Sequence, residues 1–191
     1  MNRVAIVTGG TSGIGLATAQ ALRDAGATVY VVSRHPAALE GLHSLVADVS
    51  DEAQIAAAVR EVHAREGRID ILVNNAGYGI SGAAEFTDNA EAKRLLDVNL
   101  FGMVNATKAV LPILRAQGGG RIARSVAKME KDEREGMDPA VAGRCIAKVA
   151  LKKRVKPLYA VGLEYKFFVM LSRLLPIRTI GWLLGLLYSG K

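Results

Sequence analysis

Cysteine is almost absent: Cys145 stands alone among 191 residues. No intramolecular disulfide can form, which suits a reducing compartment. With no histidine near it in sequence, Cys145 is expected to be a small buried apolar residue in a helix from Pro139 to Leu151. Low-complexity tracts and repeats of solenoid period are also missing, which argues against disordered and repeat architectures. The N-terminus has no basic region followed by an apolar run and a small-residue cleavage site, so a cytoplasmic location is expected. No metal site and no nucleic-acid partner are expected.

What is present is ample apolar material. Half the residues are hydrophobic, enough for one core, and one domain over 1–191 is expected. The net charge of +7 is unevenly spread: residues 1–120 carry a net −2 and residues 121–191 a net +9. The basic last third points to an anionic surface such as a membrane, or to a solvated face.

The strongest local signal is V-A-I-V-T-G-G-T-S-G-I-G at Val4–Gly15. An apolar run ends in three spaced glycines, and a helical pattern follows. Gly9 permits the turn, Gly13 lets backbone approach a ligand, and Gly15 lets the helix pack closely on the strand. A helix starting at about Ile14 would point free N–H groups and its positive dipole end into the loop. A dinucleotide pyrophosphate fits that description.

Strand and helix patterns alternate over the first 120 residues. Strands are expected at Val4–Val7, Thr28–Ser33, Leu45–Ala47 and Ile69–Val73. The first helix would bury Ile14, Ala17, Ala21, Leu22 and Ala25 and close at Gly26. A second, capped by Ser50, would bury Ile55, Val59 and Val62. A long one is expected over Asn89–Leu114, kinked near Pro112. Parallel pairing with right-handed crossovers then gives an α/β fold: a Rossmann-type doubly wound sheet with strands in the order 3-2-1-4.

Three features add chemistry. Ser33-Arg34 ends the second strand, where an NAD-binding fold usually has an acidic residue. Arg34 offers a guanidinium fork for a 2′-phosphate, which favours NADP(H); an ordinary surface arginine is the alternative. Asp48-Val49 follows the third strand, where the carboxylate can accept from an adenine amino group or cap a helix. Asn74-Asn75-Ala76-Gly77 ends the fourth strand, at the sheet edge where ligands lie in such folds.

Thr8-Gly9-x-x-x-Gly13-x-Gly15, Asp48-Val49, Asn74-Asn75-Ala76-Gly77 and Val98-Asn99-Leu100-Phe101-Gly102, in this order, resemble the short-chain dehydrogenase/reductase family over residues 1–122. Within it the chain is similar to members acting on lipophilic alcohols and ketones. The resemblance implies a Rossmann fold and hydride transfer at nicotinamide C4. It assigns cofactor binding to Gly9, Thr11, Ser12, Gly13, Ile14, Gly15, Ser33, Arg34, Asp48, Val49, Asn75, Ala76 and Gly77. It makes Asn99 the helix asparagine of the catalytic proton relay.

The family's catalysis also needs a serine and Tyr-x-x-x-Lys. None of Tyr30, Tyr78, Tyr159, Tyr165 and Tyr188 has a lysine four residues on. Gly118–Ile122 resembles the approach to the fifth strand, but a charged junction at 123–136 follows. Ser125 there reads as a polar residue at a helix start. Asp138-Pro139-Ala140 opens a helix, and Lys156–Gly162 resembles the family's last strand. An internal deletion of the catalytic region is therefore expected. It would leave Leu95, Leu100, Met103, Val104 and Val110 partly unpartnered and the oligomeric state open. Turnover would be impaired, with a non-catalytic nucleotide-binding or membrane-peripheral protein as the alternative.

Phe167–Tyr188 is an apolar stretch of 22 residues interrupted by Arg173, Pro176, Arg178 and Gly181. Two short helices broken at Pro176 are expected, packed on the protein or, with residues 163–191, lying on a membrane surface; a true span is the weaker alternative.

Overall fold

The computed structural model describes residues 3–81, 84–124 and 138–152, all within the unit Met1–Lys153. Lys128–Glu135, Ser125, Lys156–Gly162 and the apolar stretch 163–191 lie outside the described residues. The elements are β1 (Val4–Thr8), α1 (Gly13–Asp24), β2 (Thr28–Ser33), β3 (His43–Val46), α2 (Glu52–Glu66), β4 (Ile71–Asn74), α3 (Asn89–Leu96), a π turn (Asp97–Phe101), α4 (Gly102–Ala116), β5 (Arg121–Arg124) and α5 (Pro139–Leu151).

The sheet is parallel, in the order β3-β2-β1-β4-β5. The continuous apolar runs of β1 and β2 follow from this, because both faces of an inner parallel strand are covered. Val4, Ile6, Tyr30, Val32 and Leu72 meet Ile55, Val59 and Val62 of α2 and Ala106, Val110 and Leu114 of α4 on one face. Ala5, Val7, Val29, Val31, Ile71 and Val73 meet Ala19 and Leu22 of α1 and Ala147 and Ala150 of α5 on the other. The α/β class and the order of the first four strands agree with the sequence pattern.

Several details differ from the expectation. On α1 the buried residues are Gly15, Thr18, Ala19 and Leu22, and Ala25 is exposed. The stripe turns because α1 also packs on α5. A Cβ on Gly143 would stand 2.5 Å from the carbonyl carbon of Ala17 and 2.6 Å from the Thr18 nitrogen. Asp51, not Ser50, caps α2, accepting from the N–H groups of Ala53 and Gln54. The Gln54 backbone N–H and side-chain amide, with Ala53 N–H, hold the Asp51 carboxyl below its ordinary value. A carboxylate accepts such bonds more strongly than a hydroxyl.

The long helical pattern runs through Pro112 to Ala116, and its irregularity is the π turn at Asp97–Phe101. Val110, expected to be partly unpartnered, is fully buried, whereas Leu100 and Val104 are exposed. β5 pairs with β4 at four positions, so Ala123 and Arg124 belong to the sheet and not to a junction. Cys145 is half-buried, not buried.

Candidate functional site

The C-terminal ends of the strands gather the candidate residues. A network of hydrogen bonds joins the loop after β1 to the loop after β4. Thr8 Oγ1 accepts from Asn75 N–H at 3.0 Å and Ala76 N–H at 3.1 Å. Asn75 Nδ2 donates back to the carbonyls of Thr8 and Gly9 at 3.2 and 3.0 Å. Gly9 N–H donates to the Val32 carbonyl at 2.8 Å, tying in β2. The side chain of Asn75 is therefore committed to bracing the glycine loop. Thr8, quoted in the motif but not among the expected site residues, is the hub of that brace.

The glycines divide by role. A Cβ on Gly15 would overlap the Gly9 carbonyl oxygen and Asn75 Nδ2, so Gly15 is required by close packing. A Cβ on Gly9, whose φ is +65°, would stand 2.8 Å from Ala76 Cα. Gly13 is different: its φ is +52° and nothing lies within 4 Å of a built Cβ. Open space faces the loop there. Ser12, the N-cap of α1, makes no side-chain cap bond, and the first turn of α1 holds no acidic residue. The first turn of α1 thus carries no competing carboxylate, as anion binding at a helix N-terminus requires. Thr11 and Ile14 flank it half-buried, and Ser12 is exposed.

The other candidates border the same edge. Ser33 Oγ donates to the His35 carbonyl at 2.6 Å, which shapes the turn carrying the exposed Arg34. Asp48 Oδ1 accepts from both the N–H and the hydroxyl of Ser50, at 2.9 and 2.7 Å. Asp48 is thus a turn-former and does not cap α2. Asn99 sits in the π turn. Its Nδ2 donates to the Tyr78 carbonyl at 2.7 Å, and its Oδ1 accepts from Tyr78 N–H at 3.0 Å. The same Oδ1 would lie 2.9 Å from a Cβ on Gly77. Helix irregularities of this kind concentrate at functional sites.

Asn105 is a residue that sequence reasoning missed. Its side chain is buried and donates to the carbonyls of Val49 at 3.0 Å and Ser50 at 3.3 Å. A polar side chain at a core-facing helix position was the available signal. Asn74 is buried at the end of β4 and donates to Thr107 Oγ1 at 3.2 Å. No group of His, Cys, Asp and Glu among the described residues could hold a metal ion. No helix among the described residues is long and apolar enough to cross a membrane.

A parallel sheet in the order β3-β2-β1-β4-β5, with a glycine loop leading from its first strand into a helix, defines a Rossmann-type α/β domain. The chain matches the short chain dehydrogenase family over residues 3–137, and it belongs to that family. Members bind a nicotinamide dinucleotide. The chain is 40% identical over 121 residues to a 3-ketodihydrosphingosine reductase of Bacteroides thetaiotaomicron, covering 63% of this chain and 45% of that protein. It is 38% identical over 133 residues to the oxidoreductase UcpA of Escherichia coli, covering 63% of this chain and 49% of that protein. The chain thus spans about half the length of these curated relatives. A metagenomic short-chain oxidoreductase solved in complex with NADP superposes with a TM-score of 0.71 at 24% identity, covering 83% of this chain and 96% of that one. At that identity the likeness shows the fold alone.

Proposed function

We propose that this chain binds NADP(H) along the C-terminal edge of β1–β4. The observation that carries this is the open, uncapped N-terminus of α1 behind Gly13, held in shape by Thr8 and Asn75. The N–H groups of the Gly9–Gly15 loop would hold the pyrophosphate, with Thr11, Ser12 and Ile14 beside it. Ser33 and Arg34 would take the ribose 2′-phosphate. Asp48 and Val49 would contact the adenine, and Asn75, Ala76 and Gly77 would line the path toward the nicotinamide. Asn99 would shape that end through its bonds to Tyr78. When bound, the nicotinamide supplies hydride chemistry.

The substrate class that best suits the chain is a lipophilic alcohol or ketone. A relative named 3-ketodihydrosphingosine reductase supports this. Turnover is expected to be impaired. Asn99 remains, but no Tyr-x-x-x-Lys stands in the sequence, and lost acid–base help costs about 10²–10⁴ in rate. The same missing motif favours a second reading, a non-catalytic nucleotide-binding protein.

Cofactor choice is testable at one side chain. Arg34→Asp should lower the ratio of NADP⁺ to NAD⁺ affinity by about a hundredfold, since it replaces a charge-assisted contact with repulsion. Calorimetric titration with both dinucleotides measures that ratio. An unchanged ratio would refute the role given to Arg34.

A further inference from the structure

We infer that Asn105 is a positioning residue for base recognition, acting through the segment Asp48–Ser50; this rests on the proposed dinucleotide site. Asn105 lies on α4, away from the glycine loop. Its Nδ2 is the only side-chain donor among the described residues to the carbonyls of Val49 and Ser50. Ser50 in turn gives both its N–H and its hydroxyl to Asp48 Oδ1. Asp48 N–H donates to Gln54 Oε1 at 3.0 Å, and Asp51 N–H donates to the Asp48 carbonyl at 3.1 Å. The segment is thus held from α2 on one side and from α4 on the other.

The consequence falls on one oxygen. With Oδ1 of Asp48 occupied by Ser50, Oδ2 has no partner among the described residues. It is an acceptor whose placement is fixed by the Ser50 turn, and the turn is fixed by Asn105. A second contact serves the same end. A Cβ on Gly102, one helical turn before Asn105, would stand 2.7 Å from Val49 Cγ2 and 3.0 Å from Val49 Cβ. The helix therefore meets this segment at van der Waals distance, and any added bulk must move it. The group that suits an isolated, rigidly held carboxylate oxygen beside the apolar Val49 is the exocyclic amino group of an adenine.

The experiment compares NADP⁺ with its hypoxanthine analogue, which lacks that amino group, by calorimetric titration. Wild type should prefer the adenine form by about tenfold, the size expected for one hydrogen bond to a charged acceptor. Asn105→Leu should reduce that preference to about twofold while the NADP⁺ to NAD⁺ ratio stays unchanged. Gly102→Ala, which keeps the Asn105 amide but displaces Val49, should do the same. Amide hydrogen exchange of the 47–51 peptide needs no ligand and should rise at least tenfold in Asn105→Leu. Unchanged exchange overturns the proposal whatever the cofactor does. Faster exchange with base preference intact overturns the positioning role. A wild type that binds neither dinucleotide overturns the underlying site, while the exchange result still reports separately on the Asn105 hold.

Discussion

Gly13→Ala should weaken NADP⁺ binding by about a hundredfold and leave the fold nearly intact. The two halves of that expectation come from different physics. The stability cost is conformational. Gly13 has φ +52°, and placing an L residue in the left-handed region costs roughly 1–2 kcal/mol. For a chain of this size that lowers Tm by only a few degrees. No packing cost against other parts of the fold adds to it, because beyond the local backbone nothing lies within 4 Å of the new methyl. That open space is where the pyrophosphate would meet backbone N–H groups, and a methyl there holds the phosphate away from them. Each such charge-assisted bond is worth about 1.5–3 kcal/mol, so losing one or two gives roughly a hundredfold. Thermal melting and titration on the same preparation separate the effects. Unchanged affinity would show that the loop's opening is not the ligand site.

Gly143→Val has the opposite signature, a large loss of stability from a residue far along the chain. Gly is normally the poorer helix former, so the exchange should favour the isolated helix by about 0.5 kcal/mol. Packing outweighs this. The new Cβ would sit 2.5–2.7 Å from Ala17 and Thr18, and two of the three nearest atoms are backbone. Backbone of α1 cannot yield without disturbing the glycine loop that precedes it. Overpacking of this kind costs about 3 kcal/mol, equivalent to a Tm fall on the order of 10 °C. Chemical denaturation measures it. A neutral or stabilising outcome would mean that α5 does not pack on α1 as described.

Much of the fold was legible because its signals are local. The runs Val4–Val7 and Thr28–Ser33 are apolar without alternation, as inner parallel strands must be, and the spacing of Gly9, Gly13 and Gly15 marks the turn between them and α1. Asp138-Pro139 announced α5, which begins and ends where the sequence pattern put it. What stayed hidden depends on partners. Neighbouring Ser50 and Asp51 are both good caps, and only the turn made by Asp48 shows which one is free to act. Gly118–Ile122 reads as the approach to a fifth strand, but Ala123 and Arg124 read as the start of a charged junction; pairing with β4 puts them in the sheet. The buried face of α1 is set by α5, more than a hundred residues away. In the candidate site, the sequence pointed to Asn75 and Asn99 but not to the bonds that both side chains make to backbone. Asn105 carried too weak a signal, since one polar residue on an apolar helix face does not say what it holds.

The most direct measurement is calorimetric titration of the purified, folded chain with NADP⁺ and NAD⁺. Saturable binding of both, tighter for the 2′-phosphorylated form, is the expected result. A folded chain that gives no binding heat with either dinucleotide at millimolar concentration would contradict the claim that its first glycine loop still grips a nicotinamide cofactor.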